Sequence, residues 1–494
     1  MIRAGDGVTG GFTLRTDVCV IGSGAGGGVA AAVLAEAGRE VVVLEEGAHV
    51  PGERMTQREH EMYPLLYRDG GQQYTDDGGV SVLQGRCVGG STVINMADCV
   101  PIPEPVLAHW AQRFGVRRWG YAEVDAAARE VMEVVGANPI AFHNRNNQLL
   151  LDGAAKTGLA GGAFVHNRVD CRGSGYCLIG CRYDAKRSVA VTWIPRAVAT
   201  GRVLVQADAR VESLEWQGRR VVAAVGHVVE RGTARPLGAF RVEADRFVLA
   251  AGAIHTPLLL LASGLGGEHV GRNLTLQPQA IVAATFPDEV VLFRGVPQSA
   301  YAHADEVTAE GGLGGFRLEA VGAAPAMAAS SATLWGKELA TWMARYRHTA
   351  ACLCLVPDRP GGRVTRGRDG RPRITYAFQD TWTAQLKRAV RAAAEAYLAA
   401  GADGVSMPFV GAPPVRKAED IRVPDDVRPG DLSLISAHPQ GTCRIGEVVG
   451  DDLRVVGMDN AFVLDASVFP TSASTHTMIP VMSFALLGAR ALSG

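Results

Sequence analysis

The run Asp17-Val-Cys-Val-Ile-Gly-Ser-Gly-Ala-Gly-Gly-Gly28 constrains this chain more than any other stretch. A short apolar run breaks into glycines, small residues follow from Val29 to Ala37, and a second apolar run, Val41–Leu44, ends on Glu45. The pattern predicts a strand, a tight turn, a helix and a second parallel strand. Gly22 permits the sharp turn, Gly24 lets the backbone approach a pyrophosphate, and Gly27 lets the helix pack close to the strand. The free N–H groups at the helix start suit phosphate. Glu45 falls about 20 residues on, where a carboxylate accepts both hydroxyls of an adenosine ribose. A glycine-rich turn alone also fits an ordinary strand–helix crossing. Strand, helix, second strand and terminal acid together predict a dinucleotide site, without choosing between FAD and NAD.

At 494 residues the chain is long enough for a large core and two or three domains. Its net charge of -1 makes no case for nucleic acid or an anionic membrane surface as partner. No basic and apolar leader pattern precedes Asp17, so a cytoplasmic location is expected. The most apolar long stretch, Phe247 to Gly266, contains His255, Thr256 and Pro257, and reads as strand–turn–helix rather than a transmembrane segment. Nine cysteines, an odd number in a large chain, argue against a secreted disulfide framework.

Gly47 to Gly79 is polar and irregular, and is expected to cover the nucleotide or form a surface loop. In Gly85-Arg-Cys-Val-Gly-Gly-Ser-Thr-Val-Ile-Asn95, the Gly89-Gly90-Ser91-Thr92 turn exposes backbone N–H groups and hydroxyls suited to phosphate or a flavin edge. Trp110 to Val135 reads as helices, and Val203 to Val228 as strands with a Gln217-Gly218 turn. Strand-like runs recur at Gln279–Phe286, Leu313–Val321, Thr349–Leu355 and Arg373–Phe378, before a helix over Trp382–Ala400. Gly411 to Gly430 reads as a linker.

Two further stretches stand out. Ala250-Ala-Gly-Ala-Ile-His-Thr-Pro leads through an apolar helix to Gly266 and then to Val270-Gly-Arg-Asn-Leu274. Near the C-terminus, His438-Pro-Gln-Gly-Thr-Cys-Arg-Ile-Gly446 is followed by Val463-Leu-Asp-Ala-Ser-Val-Phe-Pro470 and Thr471-Ser-Ala-Ser-Thr-His-Thr-Met-Ile-Pro480. These four ordered regions, spread from residue 17 to 484, resemble the glucose–methanol–choline (GMC) oxidoreductases, which bind FAD.

The resemblance implies an α/β fold: a Rossmann-like FAD-binding domain and a second α+β substrate domain built on an antiparallel sheet. The expected divisions are 1–100 for the first FAD-binding segment, 101–190 for a helical and Cys-rich insertion, and 191–275 for FAD-binding again. The substrate domain follows over 276–430, and 431–494 returns with the active-site histidines. By resemblance, Gly89, Gly90, Ser91, Asn95, Val211, Asp465, Thr477 and Met478 join Gly22, Gly24, Gly27 and Glu45 around the cofactor. The matching reaction oxidises a primary or secondary alcohol, with O2 or an electron carrier as oxidant. A base takes the hydroxyl proton while flavin N5 takes the hydride. An imidazole suits that base because it titrates near neutrality. His438 is assigned as base and His476 as partner of the substrate oxygen, the reversed assignment staying open for a coupled pair. Ile94 stands where some members attach flavin covalently through a histidine, so non-covalent FAD is expected. His476-Thr477 replaces the Asn-Pro of many members. Hydroxynitrile lyases share the scaffold and the histidines with a redox-silent FAD, and form the alternative reading. Phe293, Tyr301, Phe316, Trp335 and Trp342 are candidate pocket residues, each equally suited to a core.

Cys171-Arg-Gly-Ser-Gly-Tyr-Cys177-Leu-Ile-Gly-Cys181 is the most unusual segment. Its spacing resembles bacterial FAD-dependent sugar dehydrogenases, where three cysteines hold a [3Fe–4S] cluster, and Cys-rich segments of long-chain alcohol oxidases. A zinc site would want a fourth ligand, for which His166 is nearest. The alternative is a metal-free loop of buried cysteines.

Overall fold

The strand Phe12–Ile21 buries Val18, Cys19 and Val20 completely. Gly22 ends it at φ +97°, where a Cβ would lie 2.4 Å from the Ala250 carbonyl oxygen. Only glycine turns the chain there into the helix Ala25–Glu36. This computed structural model describes residues 1–5, 10–231, 233–307 and 313–493.

The first sheet is parallel at its centre, in the order Val203–Gln206, Val41–Leu44, Phe12–Ile21, Pro236–Leu249, with Ala461–Val463 also pairing to Pro236–Leu249. Its central strands read as unbroken apolar runs because helices cover both faces. Arg220–Val229 and Ala209–Gln217 extend the sheet antiparallel, with Gln217 opposite Arg220 across the expected turn. The helix Met478–Ser493 packs beside Ala25–Glu36, burying Ile479, Met482, Phe484 and Leu486 among others.

The second sheet runs Val80–Val82, Leu434–Ser436, Gln279–Thr285, Thr349–Leu355, Leu313–Ala320, Ala300–Val307, Ala160–Ala163, with Gly404–Ser406 paired to Gln279–Thr285. It is antiparallel apart from the first pair. The helix Asp380–Ala399 buries Trp382, Leu386, Val390, Ala393 and Tyr397 at helical spacing against one face. Each large apolar side chain so buried contributes roughly 1.5–3 kcal/mol. Strand alternation then sorts the other residues: Phe316, Leu318, Cys352 and Cys354 enter this core, whereas Val321, Ala351 and Leu353 cluster on the opposite face with Met96, Ile281, Ala283 and Ile435.

Some elements differ from the sequence reading. The run Arg373–Phe378 forms a strand only over Pro372–Thr375, in a separate hairpin with Arg363–Arg366, and the Tyr376 hydroxyl beyond it donates to Asp358. Within Gly47–Gly79 lies the helix Glu59–Leu66, too short for a sustained period and interrupted in pattern by Pro64. Three strands of the second sheet, Val80–Val82, Ala160–Ala163 and Leu434–Ser436, come from outside residues 276–430. Among the described residues no helix is long and apolar enough to cross a membrane.

Candidate active site

A cavity of about 830 Å³ runs from the Gly22 turn to the second sheet. Gly22, Gly24, Glu45, Gly90, Ser91, Asn95, Val211, Asp465, Thr477, Met478, His438 and His476 all line it. Gly27 and Gly89 do not, and act behind it. A Cβ at Gly27 would lie 1.9 Å from the Gly22 carbonyl oxygen, and Gly89 donates its N–H to Ser23 Oγ (3.0 Å). The two glycine loops meet where Gly90, at φ +54°, would place a Cβ 2.8 Å from Gly24 Cα.

Glu45 is buried at the end of its strand. Its Oε2 accepts from Ser23 N (3.0 Å) and Ser23 Oγ (2.7 Å), and its Oε1 from Gly47 N (2.8 Å). Burial raises its pKa, and those three donors oppose the rise. Asp465 has four protein donors on its two oxygens: Gly252 N, Thr256 Oγ1, Ser467 N and Ser467 Oγ. It therefore clamps the helix Gly252–Ser263 to the strand end. Asn95 donates to Met478 Sδ (3.1 Å), joining the second glycine loop to the C-terminal helix. That helix starts at Met478, one residue beyond Thr477, with its first turn on the cavity.

At the far end, the His438 and His476 rings lie 5.3 Å apart between centroids, at 79°. His438 Nδ1 lies 2.9 Å from Gln277 Oε1. Gln279 Nε2 lies farther from the same nitrogen, at 3.4 Å, so the proton is assigned to Nδ1 by the nearer amide oxygen, with Nε2 left as the proton acceptor. Burial, reinforced by the charge of His476, lowers the His438 pKa to about 3. His476 has the opposite setting. Burial alone would keep it neutral, but Glu319 Oε2 lies 3.0 Å from its Nε2 and raises its pKa overall. Glu319 is fully buried, its carboxyl pKa held down against burial by His476, and Gln298 Nε2 donates to it (2.7 Å). Burial thus weakens proton binding at His438, while Glu319 strengthens it at His476.

Glu319 escaped the sequence reading. Its signal was faint: an acid alternating with Arg317 on the polar side of a strand whose other side is core. Gln277 and Gln279, which flank His438, carried no signal of their own. Of the aromatic candidates, Trp342 lines the cavity. Phe316 enters the core, Trp335 is exposed, Phe293 stacks on Tyr346, and Tyr301 packs on Phe164.

The iron–sulfur reading of the cysteine run is not supported, and its metal-free alternative stands. Among the described residues no group of three or more His, Cys, Asp or Glu is placed to hold a metal ion. Cys171, Cys177 and Cys181 are free thiols around a void of about 10 Å³, and His166 is engaged by Arg168 (2.9 Å). Lys186 holds the loop instead, donating to the carbonyls of Val93 (2.6 Å), Asn95 (2.9 Å) and Cys177 (2.5 Å). Burial lowers its pKa to about 8.

Models of the GMC oxidoreductase family match residues 63–279 and 358–485, and an NAD(P)-binding Rossmann-like domain matches 20–84. An uncharacterized GMC-type oxidoreductase of Mycobacterium tuberculosis is 34% identical over 487 residues, covering 96% of this chain and 75% of that protein. The chain belongs to the GMC oxidoreductase family. Long-chain-alcohol oxidase FAO3 of Arabidopsis thaliana is 30% identical over 508 residues, covering 96% of this GMC oxidoreductase and 67% of the plant protein. The crystal structure of pyridoxine 4-oxidase from Mesorbium loti superposes with a TM-score of 0.71 at 20% identity, over 96% and 98% of the two chains. Aspergillus oryzae formate oxidase gives 0.72 at 16% identity over 98% of each. These two share the fold.

Membership makes this GMC oxidoreductase FAD-dependent, and its own residues fit that cofactor. Gly24 and Gly90 leave a side-chain-free bed that would take the pyrophosphate, Glu45 would meet the ribose, and the first turn of the C-terminal helix would face the flavin.

Proposed function

We propose that this chain oxidises a primary or secondary alcohol with a long apolar body, His438 taking the hydroxyl proton and His476 steadying the oxygen. The observation that carries the reading is the pair of rings, 5.3 Å apart, on the wall of the cavity lined by the glycine loops. Bound FAD supplies the hydride acceptor, flavin N5, and is non-covalent in this reading because Ile94 offers no nucleophile.

His438 is neutral, so Nε2 is ready to accept a proton, and Gln277 orients the ring. The low proton affinity that keeps it neutral also makes it a weak base. The alcohol must therefore be acidified, which the positive charge on His476 does by stabilising the developing alkoxide. Glu319 keeps that charge on His476. Ile281, Ala283, Val321, Ala351 and Leu353 offer the carbon chain an apolar wall beside the rings. The likeness to the Arabidopsis long-chain-alcohol oxidase supports the same substrate class and supports O2 as oxidant.

Anaerobic addition of primary alcohols of increasing chain length tests this. Flavin absorbance should bleach, faster at limiting concentration for longer chains, and air should restore it with formation of hydrogen peroxide. A flavin that no alcohol bleaches, in a protein that cleaves a cyanohydrin, would replace the reading with the lyase.

A further inference from the structure

Asp98 lies at the catalytic end of the cavity and has no part in the scheme above. It follows the second glycine loop, and its backbone bridges to His166. The residue is 4% exposed, and neither carboxyl oxygen has a hydrogen-bond partner. The charged groups facing it come from three elements: His476 ahead of the C-terminal helix, Arg168 beside the cysteine loop, and Glu319 with Arg317 on the strand Leu313–Ala320. None of them neutralises it directly. His476 is bonded to Glu319, Arg168 to His166 Nδ1 and the Met96 carbonyl, and Arg317 lies over the Tyr301 ring. The adjacent Cys99 thiol is held protonated by burial.

A carboxylate with no donor is costly to keep charged in such a place, so the acid keeps its proton unless the solution takes it. Burial raises its pKa to about 7. Below that value Asp98 is a neutral group behind His476. Above it, the centre holds two carboxylates against one imidazolium.

We propose that Asp98 is a positioning residue that slows alcohol oxidation as pH rises through neutrality, its negative charge offsetting the positive charge His476 presents to the substrate oxygen. This rests on the reading of His476 given above. His438 is already neutral throughout that range and contributes no titration there. At an effective dielectric of about 20, one charge within about 12 Å changes a rate by about tenfold or more.

The test follows single-turnover bleaching of the holoenzyme's flavin by saturating alcohol, without oxygen, from about pH 5 to about pH 9. The wild-type rate should fall by about tenfold with a midpoint near neutrality. Asp98→Asn, which mimics the protonated acid, should match the wild type at the acidic end and show no such midpoint. A limb in Asp98→Asn at the wild-type midpoint, rather than one displaced to His476's own titration, or a rate depressed equally at every pH, overturns the inference. Should that variant lose FAD or fold, infrared spectra of the wild-type holoenzyme decide. A protonated-carboxyl band that disappears across the same midpoint and shifts in frequency in Asp98→Glu supports the inference, and its absence overturns it. Wild-type flavin that no alcohol bleaches at any pH strikes the proposed function instead.

Discussion

Glu319→Gln isolates the charge on His476. The carboxylate oxygen and Nε2 are 3.0 Å apart with Glu319 fully buried, so their direct attraction is about 5.5 kcal/mol at an effective dielectric of about 20. The amide keeps one neutral hydrogen bond and relieves the cost of burying a carboxylate, leaving a net loss of about 2–4 kcal/mol. If that loss falls on the developing alkoxide, bleaching slows by roughly 30- to 900-fold. The pH dependence has a definite sign. His476 gains proton affinity on folding, so its contribution to stability is present at low pH and lost as pH rises through its folded value. Glu319 loses proton affinity, so its contribution is present above the ordinary glutamate range and lost as pH falls. The pair stabilises most in the window between, and there the variant should lose most melting temperature. Stopped-flow bleaching without oxygen, with FAD content and melting temperature measured alongside, is the assay. A rate within about threefold of wild type, with the melting loss unchanged across pH, would refute the assignment of a charged His476.

Other outcomes follow from the same geometry. His438→Ala should retain FAD and lose about 10²- to 10⁴-fold in bleaching rate, while Gln277→Leu, which releases the ring, should fall between it and the wild type. Gly90→Ala sets a Cβ 2.8 Å from Gly24 Cα at a positive φ. It should cost about 1–3 kcal/mol in urea unfolding and weaken FAD retention, before any effect on the histidines. Replacing Cys171 and Cys181 by serine should change neither metal content nor bleaching rate, and anaerobic purification with iron and sulfide analysis checks this directly.

Much of the nucleotide end was legible because its chemistry is local. Gly22, Gly24, Gly27 and Glu45 lie within one strand–helix–strand unit, so their spacing along the chain is their spacing in space. The histidines were legible only through resemblance, since nothing in the chain between them says that the rings meet. Glu319 was hidden for a physical reason: its partner lies 157 positions away and belongs to a different segment. An acid on a strand reads as a solvent-facing residue until the facing element is known. Asp98 was concealed likewise, because burial removed its partners and a sequence does not display burial. The cysteine run left two readings open. Three sulfurs in a glycine-rich loop permit a metal centre, but among the described residues no group of three or more His, Cys, Asp or Glu is placed to hold one.

Lys186 makes that loop a wedge under the cofactor's bed. Its ammonium joins the loop's Cys177 carbonyl to the Val93 and Asn95 carbonyls of the segment that lines the cavity. A bulky thiol reagent at the half-buried Cys171 or Cys181 would lift the loop and loosen the bed without modifying either histidine ring. Inactivation by such a reagent would then report lost cofactor rather than a cysteine in the chemistry, and protection by excess FAD but not by alcohol would be its signature.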